Sequence, residues 1–444
     1  MGISIDKHRK EKKTFIILFT KIFMVNKVQN YCVYLNNWPF INNRGKLAMC
    51  CKNDRIDITP AFGNIKNTPL KELWHSAHIN YWRSKIKNYE MPVGCQGCYN
   101  HEEKINDFSF RMRSLYGVHQ QADNMDWEDP GMKIPYKDLK IRALDLRVGN
   151  LCNLACIMCH PSDSSRWYGN YEKFDREVNR PNKIKGEDIL HFERPNHLDH
   201  IKEQHQPKFL NWAEDDNCWQ NIFNSIDLNL KKVYMAGGEP FYIKNFESYV
   251  NELLRYAPEA LIDINTNGTR WLDEKYISRL KNHMRIRVSV DGYGKMDEFH
   301  RVGTVWNEKL KVMDQYYKHF GIRSIDITMT ALSIRGVPNL IKFIVDRYPE
   351  TRIMMRPVIN KKGLHIEDIP VKMRQPIIDF LENLPKAKEY IGHADIMHRL
   401  RKPDNFDVTT NKNILKDYIK YNESLSNVNY IDIDPTLYEW IHNE

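Results

Sequence analysis

From about residue 141 the chain alternates between short β-branched runs and longer stretches with apolar residues every three or four positions. The runs are IRALDLRV (141–148), KKVYMA (231–236), ALIDINT (260–266), MRIRVSV (284–290), SIDITMT (324–330) and RIMMRPV (352–358). A glycine or polar turn closes each run, and helical patterns such as FESYVNELLRYA (246–257) and NLIKFIVDRY (339–348) lie between them. Strand, turn, helix, strand is the signature of βα units, because parallel neighbours need a crossover of a dozen or more residues. The pattern predicts an α/β fold over 138–358, either a partial six-unit TIM-like barrel or a curved open sheet.

Elsewhere the rhythm breaks. Residues 160–230 form a polar insertion rich in His, Asn, Asp and Lys, and its histidines (His191, His197, His200, His205) read as a solvated loop. Residues 26–130 lack βα units and form a separate small domain, closed by the Pro/Gly linker DPGMKIPYKD (129–138). Within it Trp74, Tyr81 and Trp82 recur at helical spacing, which predicts a packing face. Residues 359–444 read as helices and loops. Residues 1–25 are a basic and then apolar extension; Lys21 breaks the run TFIILFTKIFM (14–24), which falls short of the roughly 20 residues a spanning helix needs. No cleavage motif follows, and Met24 is an alternative start. The expectation is a cytoplasmic protein with no membrane segment.

Composition adds less than the cysteines do. The 444 residues carry 66 Lys+Arg against 57 Asp+Glu, a net charge of +9, with 42% hydrophobic and 28% charged residues. This is ordinary for a globular protein and excludes wholesale disorder. So mild a charge permits nucleic acid as a partner without pointing to it. The nine cysteines are odd in number and mostly clustered. Close spacing in a lysine-rich chain points to metal ligation or redox chemistry, not to disulfide staples.

In LRVGNLCNLACIMCH (146–160) a strand ends, Gly149 and Asn150 turn, and Cys152, Cys156 and Cys159 follow as C-x3-C-x2-C. Thiolates are soft ligands for iron, and three of them leave one iron of a [4Fe–4S] cluster open to a small molecule. A zinc site would need a fourth ligand, and His160 is poorly placed for it. Later strands also end in polar groups, where βα active sites lie. Gly237-Gly238-Glu239 allows close backbone approach and offers a carboxylate to an amine. Asn265 opens an NTNG turn. Ser289 and Asp291 share one side of a strand and are placed to bond ribose hydroxyls.

These segments together resemble the radical SAM superfamily, over roughly residues 141–345. The resemblance implies that Cys152, Cys156 and Cys159 hold a [4Fe–4S] cluster whose open iron chelates S-adenosylmethionine. It also implies that Gly237, Gly238 and Glu239 meet the methionine amino group, and that Asn265, Ser289 and Asp291 lie along the cofactor. Reductive cleavage would then give a 5′-deoxyadenosyl radical that abstracts a substrate hydrogen. Met158 stands where the family often has an aromatic residue near the adenine, and ALSIRGVPNL (331–340) lacks the family's usual glutamate. Arg301, in FHRVGT, either pairs with the cofactor carboxylate or is a solvated surface arginine.

Cys32, Gly45, Cys50 and Cys95-x2-Cys98 resemble the Twitch domain, the half-sized relative of SPASM domains, here ahead of the core. The resemblance implies an auxiliary [4Fe–4S] cluster held by Cys32, Cys50, Cys95 and Cys98. By spacing alone a four-thiolate zinc site fits equally well, and the neighbouring three-cysteine loop favours iron. Cys51 is an alternative ligand and Cys218 a packed or surface thiol. The implied partners are an electron donor such as flavodoxin or ferredoxin and a peptide or small-molecule substrate. The competing readings are an RNA-modifying enzyme of the same superfamily and a non-catalytic cluster- or zinc-binding interaction protein.

Overall fold

The computed structural model describes residues 30–52, 62–92, 94–104, 109–115, 133–159, 161, 163–167, 211–359, 361, 363–385, 387, 390–405 and 407–443. The N-terminal extension, His160 and the insertion's four histidines lie outside them. The fold is mixed α/β, with strands β1 (Phe40–Ile41), β2 (Leu47–Ala48), β3 (Ala143–Arg147), β4 (Ala155–Cys156), β5 (Lys232–Ala236), β6 (Leu261–Thr266), β7 (Met284–Ser289), β8 (Arg301–Val302), β9 (Ile322–Met329) and β10 (Arg352–Pro357). Eight of them form a large, mainly parallel sheet; β4 and β8 form a separate ladder. All six predicted runs are strands of the large sheet. Among the described residues no ladder closes that sheet on itself.

Contacts divide the chain into two compact units. One holds the described residues of Met1–Leu146, Asp216–Tyr234 and Glu252–Ala260. In it β1 pairs antiparallel with β2 and parallel with β3. Tyr31, Val33, Tyr34, Trp38, Met112 and Ala143 form a buried cluster against which Cys32 and Cys50 pack. Buried Arg83, on the helix Ala77–Lys87, donates to the carbonyls of Leu35 and Trp74, both at 2.7 Å, and lies 4.4 Å from the Trp74 ring. A charge removed from water must be bonded on several sides to be tolerated, and this one is. Trp74 therefore packs as predicted, whereas Tyr81 is 55% exposed and lies off that face.

The other unit holds Arg147–Asp215, Met235–Asn251 and Leu261–Glu444, in its described residues. Here β6, β7, β9 and β10 run parallel in that order. Such strands are covered on both faces and read as near-continuous apolar runs, which is why the sequence revealed them. Asp263 of β6 and Arg287 of β7 form a buried two-point ion pair at 2.7 and 2.6 Å. C-terminal helices occupy Val371–Asn383, His393–Leu400, Val408–Ser426 and Pro435–His442. The third of these packs near the cysteine loop: Tyr421 stacks on Trp167 at 5.9 Å, and Asn422 Nδ2 donates to the Phe299 carbonyl at 2.6 Å. Among the described residues, no helix is long and apolar enough to cross a membrane.

Candidate metal centre

The three-cysteine loop starts where β3 ends. Gly149, at φ +96°, makes the turn that an L side chain would strain, and Asn150 is fully buried just after it. Asn150 Nδ2 donates to the Pro161 carbonyl at 2.8 Å, while its own carbonyl accepts from Ser165 N at 2.7 Å. Cys156 lies in β4, paired with β8 in a two-residue antiparallel ladder. Trp167 Nε1 donates to the Cys156 carbonyl at 3.1 Å, and Lys361 Nζ donates to the Cys159 carbonyl at 2.9 Å. Backbone bonds therefore fix the loop independently of anything its thiols bind.

The thiols share one electrostatic neighbourhood. Burial pushes Cys152 up to about 12, with Cys156 and Glu239 adding to the shift. Cys159 is also raised, first by its bond to Cys156 and then by burial. Cys156 is shifted the other way, by that same bond and by Arg301, whose Nη1 lies 3.7 Å from its sulfur. Among the described residues no three His, Cys, Asp or Glu side chains converge tightly enough for a single metal ion. A cluster is ligated at separate irons, so its thiolates stand farther apart than ligands to one ion. Three soft donors beside two cations, Arg301 and Lys361, suit an electron-rich iron–sulfur group.

The strand-end residues turn largely toward their own chain. Gly238, at φ +54°, passes so close to the loop that an added Cβ would lie 2.4 Å from the Leu151 carbonyl oxygen. The next amide, Glu239 N, donates to that oxygen at 2.7 Å. The Glu239 carboxylate is 1% exposed and accepts from Asn267 N at 2.6 Å, Thr266 Oγ1 at 2.8 Å and Phe241 N at 3.2 Å. Burial raises it to about 7 against those donors. This carboxylate thereby ties the turn after β5 to the turn after β6. Asn265 Oδ1 accepts from Ser289 Oγ at 3.3 Å, and Met158 is half-buried.

Asp291 and Arg301 pair with each other. Asp291 is fully buried; its Oδ1 accepts from Thr328 N at 2.7 Å, and its Oδ2 pairs with Arg301 Nε at 2.7 Å. A carboxylate so enclosed is held by a counter-charge. Arg301 is buried too, which removes the reading of a solvated arginine. The sequence reading missed Lys361, Trp167, Asn153 and Asn267 as parts of the site. Asn267 Nδ2 donates to Asn153 Oδ1 at 2.9 Å and lies 3.8 Å from Cys152 Sγ. Asn267 stood in the noted NTNG turn; Lys361 had no local signal, since it lies 202 positions from its partner.

In the first unit, Cys32 caps the helix Val33–Asn36 and Cys50 follows β2. Gly45, at φ +76°, belongs to the turn of the β1–β2 hairpin, whose Asn42 side chain accepts from Arg44 N and Lys46 N at 3.0 Å. Cys95 and Cys98 are linked by a turn bond of 3.0 Å at the start of the helix Gln96–Lys104. Burial pushes Cys32 up to about 11, with Arg111 opposing and Cys98 reinforcing. Cys50 is raised by burial, then by Cys51, Cys32 and Cys98. Cys51 therefore stands within the same thiol group, while Cys218 is fully buried elsewhere in the unit. Arg111 is held by a two-point bond to Glu102 at 2.8 and 2.5 Å and lies 4.4 Å from the Tyr99 ring.

Residues 32–99 match the family model of the SPASM iron–sulfur cluster-binding domain. The match begins at Cys32 and spans Cys50, Cys95 and Cys98. No curated protein matches the sequence. Among solved structures, the chain is similar to native anSMEcpe with bound AdoMet, at 16% identity over 55% of this chain and 58% of that one, with a TM-score of 0.34. It is also similar to Streptococcus suis SuiB bound to S-adenosylmethionine, at 15% identity over 56% of this chain and 45% of that one, with a TM-score of 0.32. The chain thus spans about half the length of these structures.

Proposed function

We propose that the chain is a radical SAM enzyme that reductively cleaves S-adenosylmethionine to begin hydrogen abstraction from a peptide or small-molecule substrate. The observation that carries this reading is the C-x3-C-x2-C loop at the end of a parallel strand, with its thiols grouped beside a buried arginine. Cys152, Cys156 and Cys159 would hold a [4Fe–4S] cluster; bound there, the cluster would supply the single electron that cleaves the cofactor. Glu239 acts by fixing the Gly237–Gly238 turn against Leu151, and so the position of Cys152. Trp167 and Lys361 hold the other end of the loop through its Cys156 and Cys159 carbonyls.

The match over residues 32–99 supports an iron–sulfur cluster in this segment; in our reading it is an auxiliary [4Fe–4S] cluster in a half-sized, Twitch-type domain, held by Cys32, Cys50, Cys95 and Cys98. A cluster with four thiolates has no open iron, so its role in this reading is to pass an electron during substrate oxidation. A flavodoxin or ferredoxin would feed the pair.

The test is anaerobic reconstitution followed by an assay for 5′-deoxyadenosine with reductant and S-adenosylmethionine. Two clusters predict about eight irons per chain. The Cys156→Ala variant is expected to lose deoxyadenosine formation while keeping the iron of the N-terminal site. Full iron and sulfide with no deoxyadenosine from the natural sequence refutes the enzyme reading.

A further inference from the structure

We propose that Arg301 sets the reduction potential of the cluster on the three-cysteine loop, and that Asp291 sets how much of the arginine's charge the cluster feels. This rests on the cluster reading above and extends it to residues that bind no iron. Three observations carry it. The β4–β8 ladder makes Cys156 and Arg301 direct cross-strand partners, so backbone bonds fix the guanidinium beside the sulfur. Arg301 Nη1 lies 3.7 Å from Cys156 Sγ, with both residues buried. The other face of the guanidinium is restrained, because Nε stands 2.7 Å from Asp291 Oδ2 and 3.9 Å from Asp297 Oδ1.

Asp297 is itself fixed. Its Oδ2 pairs with Lys309 Nζ at 2.7 Å and its Oδ1 accepts from Asp291 N at 2.8 Å. Two cations and two carboxylates thus form one buried, balanced group, with a single arm extended to a cluster ligand. Reduction adds one electron to the cluster, and a cation bonded to a ligand sulfur stabilises the added charge more than it stabilises the oxidised form. Little water intervenes to screen the effect. Arg301 is accordingly a positioning and tuning residue, acting through Cys156.

The experiment is a redox titration of the reconstituted full-length protein, followed by electron paramagnetic resonance. The signal to follow is the one that changes on adding S-adenosylmethionine, which separates this cluster from the N-terminal one. Arg301→Gln is expected to shift the reduced-to-oxidised ratio at a given potential at least tenfold toward oxidised, about 59 mV downward for a one-electron couple. Asp291→Asn is expected to shift it upward, because the arginine then keeps less of a counter-charge. If Arg301→Gln fails to fold around a bare Asp291, the double variant Arg301→Gln/Asp291→Asn leaves neither charge alone and is still expected to titrate below the natural protein. Cluster-loaded Asp291→Asn and double variants that titrate with the natural protein overturn the inference. A natural chain that takes up no iron and sulfide overturns the cluster reading itself, and the inference with it.

Discussion

Two glycines at positive φ separate strain from collision. Gly238 sits at φ +54° and Gly321, after the helix Trp306–Phe320, at φ +68°. Replacing either by alanine forces an L residue into backbone space it rarely adopts, at a cost of roughly 1–3 kcal/mol. At Gly321 an added Cβ meets nothing within 4 Å, so this is the whole effect. At Gly238 the Cβ would lie 2.4 Å from the Leu151 carbonyl oxygen and 2.9 Å from Asn150 C and Leu151 N. These are backbone atoms that cannot rotate away, and the oxygen must withdraw by about 1 Å to reach ordinary contact at 3.4 Å. Overpacking of this kind adds about 1–3 kcal/mol. It also pulls Leu151 from Glu239 N and moves the neighbouring Cys152. Urea unfolding of the full chain is therefore expected to show both variants less stable than the natural protein, with the collision adding to the strain only in Gly238→Ala. Iron retained after desalting should fall only in Gly238→Ala. Equal iron in the two variants would refute the claim that this turn supports the cysteine loop.

Asp263→Asn should destabilise the second unit by ~3–5 kcal/mol, because it strands the buried Arg287 guanidinium; chemical denaturation measures this, and a loss below about 1 kcal/mol counts against the pairing. His300 is fully buried, with Nδ1 on the Met296 carbonyl at 3.0 Å and Nε2 at 3.1 Å from Thr330 Oγ1. Burial lowers it to about 4, so its stabilising effect is complete above the usual imidazole value near 6.5 and is lost as pH falls toward 4. That amounts to about 3 kcal/mol. His300→Gln should therefore lose less stability than the natural protein between pH 7 and 4, and an identical pH slope in both would sink the assignment.

What could be read from the sequence follows from the range of the forces involved. The strands were legible because burial on both faces leaves a continuous apolar run, as in β5, where all five residues are buried. The cysteine loop was legible because its three thiols lie within eight residues. Arg301 was not, since nothing in FHRVGT distinguishes a buried arginine from a solvated one. Its burial depends on Asp291, ten positions away, and on a two-residue ladder too short to predict. Lys361, Trp167 and Tyr421 join the loop through contacts that span most of the second unit's sequence, and periodicity carries no trace of them.

Several residues that carried the resemblance are already bonded within their own chain. Glu239 accepts three donors from its own chain, Asp291 is paired with Arg301, and the Asn267 side chain is bonded to Asn153 and Thr269. A buried polar group with its partners already in place gains little by exchanging them for a ligand, since the net value of one hydrogen bond is about 1 kcal/mol while a stranded partner costs more. The motifs thus act one step back from the chemistry. The GGE turn and the NTNG turn grip the beginning of the loop at Leu151 and Asn153, and the segment from Asp291 to Arg301 grips its middle at Cys156. At the centre lie the three sulfurs, two of them held toward the neutral thiol by burial and by neighbouring thiols. Ligation must then release protons, and a rigid loop with cations on two sides lowers the cost of doing so without itself changing shape.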